Sequence, residues 1–115
     1  DNIYPHGDVQ KYGKPAFLEP YAPLLKENVP FYVCLGNHDV LFGHKAAQMA
    51  FFKMPGSYYA LKKGLVDFFA IDTNDFDKTQ QQWLTRELKK SRAPWKIVFG
   101  HHPVYSSGKH GGSLA

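Results

Sequence analysis

Three polar residues that follow an apolar run are the first candidates for chemistry in this sequence. The run Phe31 to Leu35 is β-branched and aromatic, and it ends at Gly36. Asn37, His38 and Asp39 come next. The pattern predicts a buried strand whose carboxyl end carries the polar side chains. The amide oxygen suits a hard metal ion, the imidazole suits proton transfer, and the carboxylate can fix the imidazole's tautomer. A solvated turn accounts for the tetrapeptide equally well.

Two other segments offer compatible groups. Near the end of the chain, the apolar run Trp95 to Phe99 stops at Gly100 and is followed by His101. A neutral imidazole at a strand end is a common metal ligand. At the start, Asp1 and Tyr4 place a carboxylate and a phenol three residues apart, and both are oxygen donors for hard or trivalent ions. We expect the three segments to meet at one edge of a sheet.

The order of these segments resembles the calcineurin-like metallophosphoesterases. Asp1 to Tyr4, Gly36 to Asp39 and Val98 to His101 match, in order, the GDxxY, GNH(D/E) and VxxH motifs of that family. The tyrosine is similar to that of the purple acid phosphatase branch. The stretch from His101 to Gly111 resembles the loop after VxxH in the small, tartrate-resistant type. Three motifs in order are much more specific than any one of them.

The resemblance implies a fold, a reaction and a cofactor. The fold is α/β, as part of a layered α/β/β/α metallophosphoesterase sandwich. The reaction is hydrolysis of phosphate monoesters, on phosphorylated small molecules or phosphoproteins. The cofactor is a pair of metal ions, a ferric ion together with a divalent iron, zinc or manganese ion. In this branch the tyrosine binds the ferric ion.

The resemblance also implies roles for individual residues. His38 and His110 contact the phosphate and protonate the leaving alcohol, and Asp39 orients His38. The donor-rich segment from Ser106 to Gly112 has the composition of a loop that closes over a phosphate. The implied metal ligands are Asp1, Tyr4, Asn37 and His101.

Two family motifs are absent from this sequence. A DxG or DxH motif precedes GDxxY in the family and a GHxH motif follows VxxH, and neither occurs here. We therefore expect residues 1–115 to be a partial metallophosphoesterase domain, truncated at both ends, with an incomplete set of metal ligands. Two alternatives stay open: a phosphodiesterase or nucleotidase of the same superfamily, and a non-catalytic fragment or binding module.

Hydrophobic periodicity and turn residues predict the elements that position these groups. Asp77 and Gln80 form a capping pattern at the start of the clearest helix. The cluster Asp72 to Asp75 is expected to shape a turn rather than to bind a ligand. The predicted elements are an irregular, proline-interrupted helix over Lys14 to Glu27, a helix over His44 to Lys53, a hairpin of Ser57 to Leu61 with Leu65 to Asp72, and a helix over Lys78 to Lys90.

Composition limits the remaining function classes. The net charge is +4, but the basic residues are scattered, which favours a solvated surface over specific nucleic-acid binding. Cys34 is the only cysteine, so no disulfide can form within the chain. No apolar run reaches the ~18 residues of a membrane-spanning helix. Oligomeric state and compartment stay open, and the resemblance alone implies secretion or a periplasmic location.

Overall fold

The computed structural model describes residues 1–110 as a set of helices and one three-stranded sheet. A π-helical turn covers Lys14–Leu18 and a 3₁₀ turn covers Leu41–Gly43. This mixture confirms the predicted α/β class. The regular elements are the helices α1 (Val9–Gly13), α2 (Ala22–Lys26), α3 (Asn37–Val40), α4 (Lys45–Phe51) and α5 (Lys78–Lys90), and the strands β1 (Tyr59–Lys63), β2 (Val66–Ala70) and β3 (Trp95–Phe99).

The sheet has the order β1-β2-β3, with β1 antiparallel and β3 parallel to β2. A two-residue loop joins β1 to β2, and its first residue, Gly64, has a φ of 60°, a conformation that glycine adopts without strain. The parallel connection from β2 to β3 runs through α5, because parallel strands need a long crossover. The predicted hairpin, the helix over Lys78 to Lys90, the last strand and the central place of β2 are confirmed.

Helix α5 is fixed at both ends. The Asp77 carboxylate accepts a hydrogen bond from the Gln80 backbone N–H at 2.8 Å and caps the first turn. At the other end, the Ser91 hydroxyl donates to the Asp67 carboxylate of β2 at 2.6 Å. Trp83 packs its ring 4.8 Å from that of Tyr58. α5 is therefore scaffold, and no helix within residues 1–110 is long and apolar enough to cross a membrane.

The strand predicted over Phe31 to Leu35 is wrong for the part of the chain that the structure describes. These residues carry no regular secondary structure and pair with no strand of the sheet. Their carbonyl groups accept hydrogen bonds from side chains instead. Tyr59 Oη donates to the Val33 carbonyl at 2.7 Å, and Asn2 Nδ2 donates to the Cys34 carbonyl at 2.8 Å. Asn74 Nδ2 donates to the Leu35 carbonyl at 3.3 Å.

An aromatic cluster packs the irregular N-terminal helices. Phe17 lies at its centre and is 8% exposed. The segment predicted as one irregular helix is divided into the π-helical turn and α2, which agrees with its prolines. The rings around Phe17, with centroids 4.9 to 6.0 Å from its own, belong to Tyr21, Phe31, Phe51 and Phe52.

The most deeply buried side chains lie next to the candidate residues in sequence. Ile3 is within the first motif and Leu35 directly precedes Gly36, and both are 0% exposed. Phe69 and Ala70 of β2 are 2% and 0% exposed. Burial of these apolar side chains fixes the backbone on either side of the site, because the packed interior leaves little room for movement.

Candidate active site

Six of the seven predicted site residues line one cavity of about 610 Å³. The cavity lies where β3 ends and α3 begins, as expected for chemistry at the carboxyl ends of strands. The seventh residue, Asp39, is buried outside it. Gly111 and Gly112 of the donor-rich segment lie outside the described residues. The six are Asp1, Tyr4, Asn37, His38, His101 and His110, and His102 and Pro103 complete the lining.

The four candidate metal donors form a chain of close contacts that runs from Tyr4 through Asp1 and His101 to Asn37. Tyr4 Oη donates to Asp1 Oδ2 at 2.6 Å. His101 Nε2 lies 3.0 Å from Asn37 Oδ1 and 3.4 Å from Asp1 Oδ2. Two ligands at right angles on one ion, each about 2.1 Å from it, stand about 3.0 Å apart. Oxygen and imidazole donors at these separations fit one side of a metal ion.

These donors do not form a complete metal site by themselves. Within residues 1–110, no cluster of three or more His, Cys, Asp or Glu side chains is placed to hold a metal ion. Two of the four candidates are a phenol and an amide, and four donors are too few to fill the coordination of two metal ions. The described residues therefore fit part of a two-metal centre.

The surroundings of His101 favour its neutral imidazole form. Burial lowers its pKa below the ordinary histidine value, and the neighbouring His102 lowers it further. The Asp1 backbone nitrogen lies 3.0 Å from His101 Nδ1. A neutral ring keeps a nitrogen lone pair, which metal binding requires.

Gly36 brings the first and second motifs together. A Cβ atom at this position would overlap the Asp1 carboxylate, so only glycine leaves room for it. The His38 backbone N–H, at the start of α3, donates to Asp1 Oδ1 at 2.9 Å. The close approach of these two loops sets where the Asp1 carboxylate lies in the cavity.

The buried Asp39 carboxylate connects the loop that carries Asp1 to the loop that carries Gly36. The carboxylate is 0% exposed and accepts hydrogen bonds of 2.9 to 3.0 Å from the backbone N–H groups of Asn2, Ile3 and Gly36 and from Asn2 Nδ2. The sequence predicts that Asp39 orients His38, but both its oxygens are occupied by these donors. The carboxylate instead fixes the backbone that carries the site.

The His38 ring is oriented by a backbone carbonyl. His38 Nδ1 lies 2.7 Å from the Pro5 oxygen. A carbonyl oxygen only accepts hydrogen bonds, so Nδ1 carries the proton and Nε2 is the nitrogen available to the cavity. The Tyr4 ring packs 4.7 Å from the imidazole. Sequence reasoning missed Pro5, because a backbone carbonyl leaves no residue-type signal.

Residues that follow β2 hydrogen-bond to His102, which lies next to His101 in the cavity lining. Thr73 Oγ1 lies 2.7 Å from His102 Nδ1 and accepts from the His102 backbone N–H at 3.1 Å. The neighbouring Asp72, 1% exposed, accepts from Lys45 Nζ at 2.7 Å and from the Asn74 backbone and side-chain amides at 3.0 Å. This confirms that the cluster after β2 shapes a turn.

The family model described as calcineurin-like phosphoesterase matches residues 3–115. The chain belongs to the calcineurin-like phosphoesterase family. Similar proteins in this family include tartrate-resistant acid phosphatase type 5 of Oryctolagus cuniculus and of Homo sapiens, each 31% identical over 96% of this chain and 45% of its own length. Purple acid phosphatase 7 of Arabidopsis thaliana is 30% identical over 96% of this chain and 44% of its own length.

The chain spans about 45% of the length of the curated relatives that it matches. The family's predicted metal and substrate residues all fall within the matched range except Asp1, which precedes it by two positions. Asp1 nevertheless contacts Tyr4, His38 and His101, so the structure places it with the others.

Proposed function

We propose that the whole protein hydrolyses phosphate monoesters at a centre of two metal ions. The observation that carries this proposal is the convergence of residues from three separate segments on one cavity. Relatives named as acid phosphatases, 30% and 31% identical over 96% of the chain, support the same reaction class. The cavity is lined by both hard oxygen donors and imidazoles, a combination that suits metal binding beside proton transfer.

Asp1, Tyr4, Asn37 and His101 are the proposed metal ligands of this chain. The Tyr4 phenol, as phenolate, suits a ferric ion, and the second ion is divalent iron, zinc or manganese. We assign the remaining ligands to parts of the whole protein beyond the described residues. When bound, the ions supply Lewis acidity, which activates the attacking water and offsets negative charge on the phosphoryl group.

His38 and His110 are the proposed substrate-facing residues. The Pro5 carbonyl holds the proton of His38 Nδ1, so His38 Nε2 is the atom that contacts the phosphoryl oxygen. When the ring is protonated, Nε2–H donates its proton to the leaving alcohol oxygen. His110 lines the cavity from the segment after β3 and provides a second imidazole for contact with the negatively charged phosphoryl group. Asp39 acts by holding the backbone beneath Asp1 and Gly36.

Metal content and colour test the metal part of the proposal. The whole protein is expected to contain about two metal ions, including iron, and to show a visible charge-transfer band from a phenolate bound to Fe³⁺. The Tyr4→Phe variant removes the only proposed phenolate, so the band should disappear. Tyr105→Phe, at a fully solvated tyrosine 93% exposed, serves as the matched control and should keep it. A colourless wild-type protein with bound zinc alone would refute the ferric assignment.

Turnover tests the role of His38. In the whole protein, His38→Ala should lower kcat for p-nitrophenyl phosphate by about 10²-fold or more with metal content unchanged. Tyr105→Ala removes a ring that is 93% exposed and lies outside the cavity lining, and it should have a much smaller effect. Loss of metal in His38→Ala would show that His38 is a ligand. Faster hydrolysis of bis-p-nitrophenyl phosphate than of the monoester would favour a phosphodiesterase.

A further inference from the structure

The loop from Pro5 to Gly7 holds His38 at two points. The Pro5 carbonyl accepts from the ring at Nδ1, and the Gly7 backbone N–H donates to the His38 carbonyl at 2.9 Å. A Cβ atom at Gly7 would overlap the Asp39 carbonyl, so the loop lies directly against α3. A displacement of Gly7 would therefore move the carbonyl group that determines which nitrogen of His38 carries the proton.

Gln48 of α4 fixes this loop from the opposite side. Its side chain is 0% exposed, and Nε2 donates to the Gly7 carbonyl at 3.1 Å. Because the Gly7 carbonyl only accepts, the amide must present Nε2 to it. The intervening His6 is held as well, since its ring stacks on that of His44 at 5.3 Å. The loop is thus fixed at Gly7 by a hydrogen bond and at His6 by ring packing.

The other half of the Gln48 amide has no protein partner. Among residues 1–110, Gln48 Oε1 is buried and accepts no hydrogen bond. A buried polar atom left unsatisfied costs stability, whereas an apolar side chain of the same shape does not. Methionine or leucine at this position would remove the unsatisfied oxygen but would leave the buried Gly7 carbonyl without the Gln48 donor. What glutamine adds is the donor to Gly7.

We propose that Gln48 is a positioning residue for His38. By holding Gly7, it keeps the Pro5 carbonyl on His38 Nδ1 and leaves Nε2 toward the cavity. As far as turnover is concerned, the inference rests on the phosphatase function proposed above. The tautomer of His38 is independent of the reaction and can be measured on the protein whether or not it turns over a phosphate ester.

The Gln48→Met variant of the whole protein tests this inference. It removes the unsatisfied oxygen but leaves the buried Gly7 carbonyl without this donor, so the midpoint of thermal unfolding should fall less than in Gln80→Met, which loses three hydrogen bonds. We expect kcat for p-nitrophenyl phosphate to fall about tenfold, because a small misplacement of a catalytic group is costly, while KM changes less than about twofold. The His38 tautomer is measured by NMR on zinc-loaded protein labelled with ¹⁵N-histidine. The wild type should show the single tautomer with the proton on Nδ1, and Gln48→Met should show a mixture of both tautomers.

Gln80→Met is the matched control. Gln80 is equally buried, at 1% exposed, but its amide bonds to Asp72 and Asp75 and not to the His38 loop. This variant loses three hydrogen bonds, so its unfolding midpoint should fall while the His38 tautomer stays unchanged. The His38 signals are assigned by their loss in His38→Asn, and Gln48→Leu provides a second apolar variant.

The outcomes separate the two proposals. An unchanged His38 tautomer in Gln48→Met overturns the inference, whatever happens to kcat. Failure of both Gln48→Met and Gln48→Leu to fold would assign Gln48 to fold stability and also overturn it. If the wild-type protein hydrolyses no phosphate ester but the tautomer shifts in Gln48→Met, the proposed function fails and the positioning role of Gln48 stands.

Discussion

Asp39→Asn is the substitution from which we expect the largest loss of stability. The Asp39 carboxylate is 0% exposed and joins the loop at Asn2 to the loop at Gly36. An amide keeps the shape but replaces one acceptor oxygen by an NH₂ group. If the NH₂ takes the place of Oδ1, it faces the N–H groups of Asn2 and Ile3. If it takes the place of Oδ2, it faces Asn2 Nδ2 and the Gly36 N–H.

Both orientations lose at least two hydrogen bonds to a charged acceptor. Each such bond contributes about 1.5 to 3 kcal/mol, so the free energy of unfolding should fall by about 3 to 6 kcal/mol. This is a large part of the ~5 to 15 kcal/mol by which a domain is stable. The corresponding decrease in the midpoint of thermal unfolding is more than about 10 °C for a chain of this size.

Urea unfolding of the wild type and of two variants provides the assay. Asp75→Asn makes the same chemical change at an exposed carboxylate and should alter the free energy of unfolding by less than about 0.5 kcal/mol. If Asp39→Asn unfolds within about 1 kcal/mol of the wild type, the buried carboxylate does not hold the two loops together and the reasoning is refuted.

Three further predictions concern stability and titration. Gly7→Ala places a Cβ against the Asp39 carbonyl and should lower the free energy of unfolding by about 1 to 3 kcal/mol; an unchanged urea midpoint would contradict this. Lys45→Met removes the 2.7 Å bond to buried Asp72 and should cost about 1 to 2 kcal/mol after allowance for the exposure of Lys45, whereas Lys78→Met, at an exposed position, should cost almost nothing. Burial raises the pKa of Tyr59 from 10.0 to about 12, with a smaller contribution from the charge of the nearby Cys34. Because the pKa is higher in the folded state than in the unfolded state, protonated Tyr59 stabilises the fold fully below pH 10, and this stabilisation is lost as the pH rises toward 12. Absorbance titration should show one phenol ionising near pH 12 that is missing in Tyr59→Phe, and identical titration curves for the two proteins would rule this out.

Local sequence patterns were sufficient for the elements whose determinants lie within a few residues. The capping carboxylate of Asp77 and the apolar spacing that follows it specify α5, and the observed bounds Lys78–Lys90 agree with the prediction. The hairpin of β1 and β2 is set by two short strand-forming runs and by a glycine in the loop between them. The three motifs likewise predicted the residue types that meet at the cavity.

The partners of the central residues were decided by contacts between segments distant in sequence. Asp39 binds groups 36 and 37 residues away, at Ile3 and Asn2, and this buried role cannot be read from its place beside His38. Pro5 orients His38 from 33 residues away through a carbonyl group, which every residue possesses. The run Phe31 to Leu35 has the composition of a strand, but composition cannot supply the neighbouring strand that a ladder requires. The sequence alone determined which chemical groups the site contains, whereas only the tertiary structure decided which hydrogen-bond donor and acceptor each group faces, because buried polar groups are paired wherever the packed chain brings a partner.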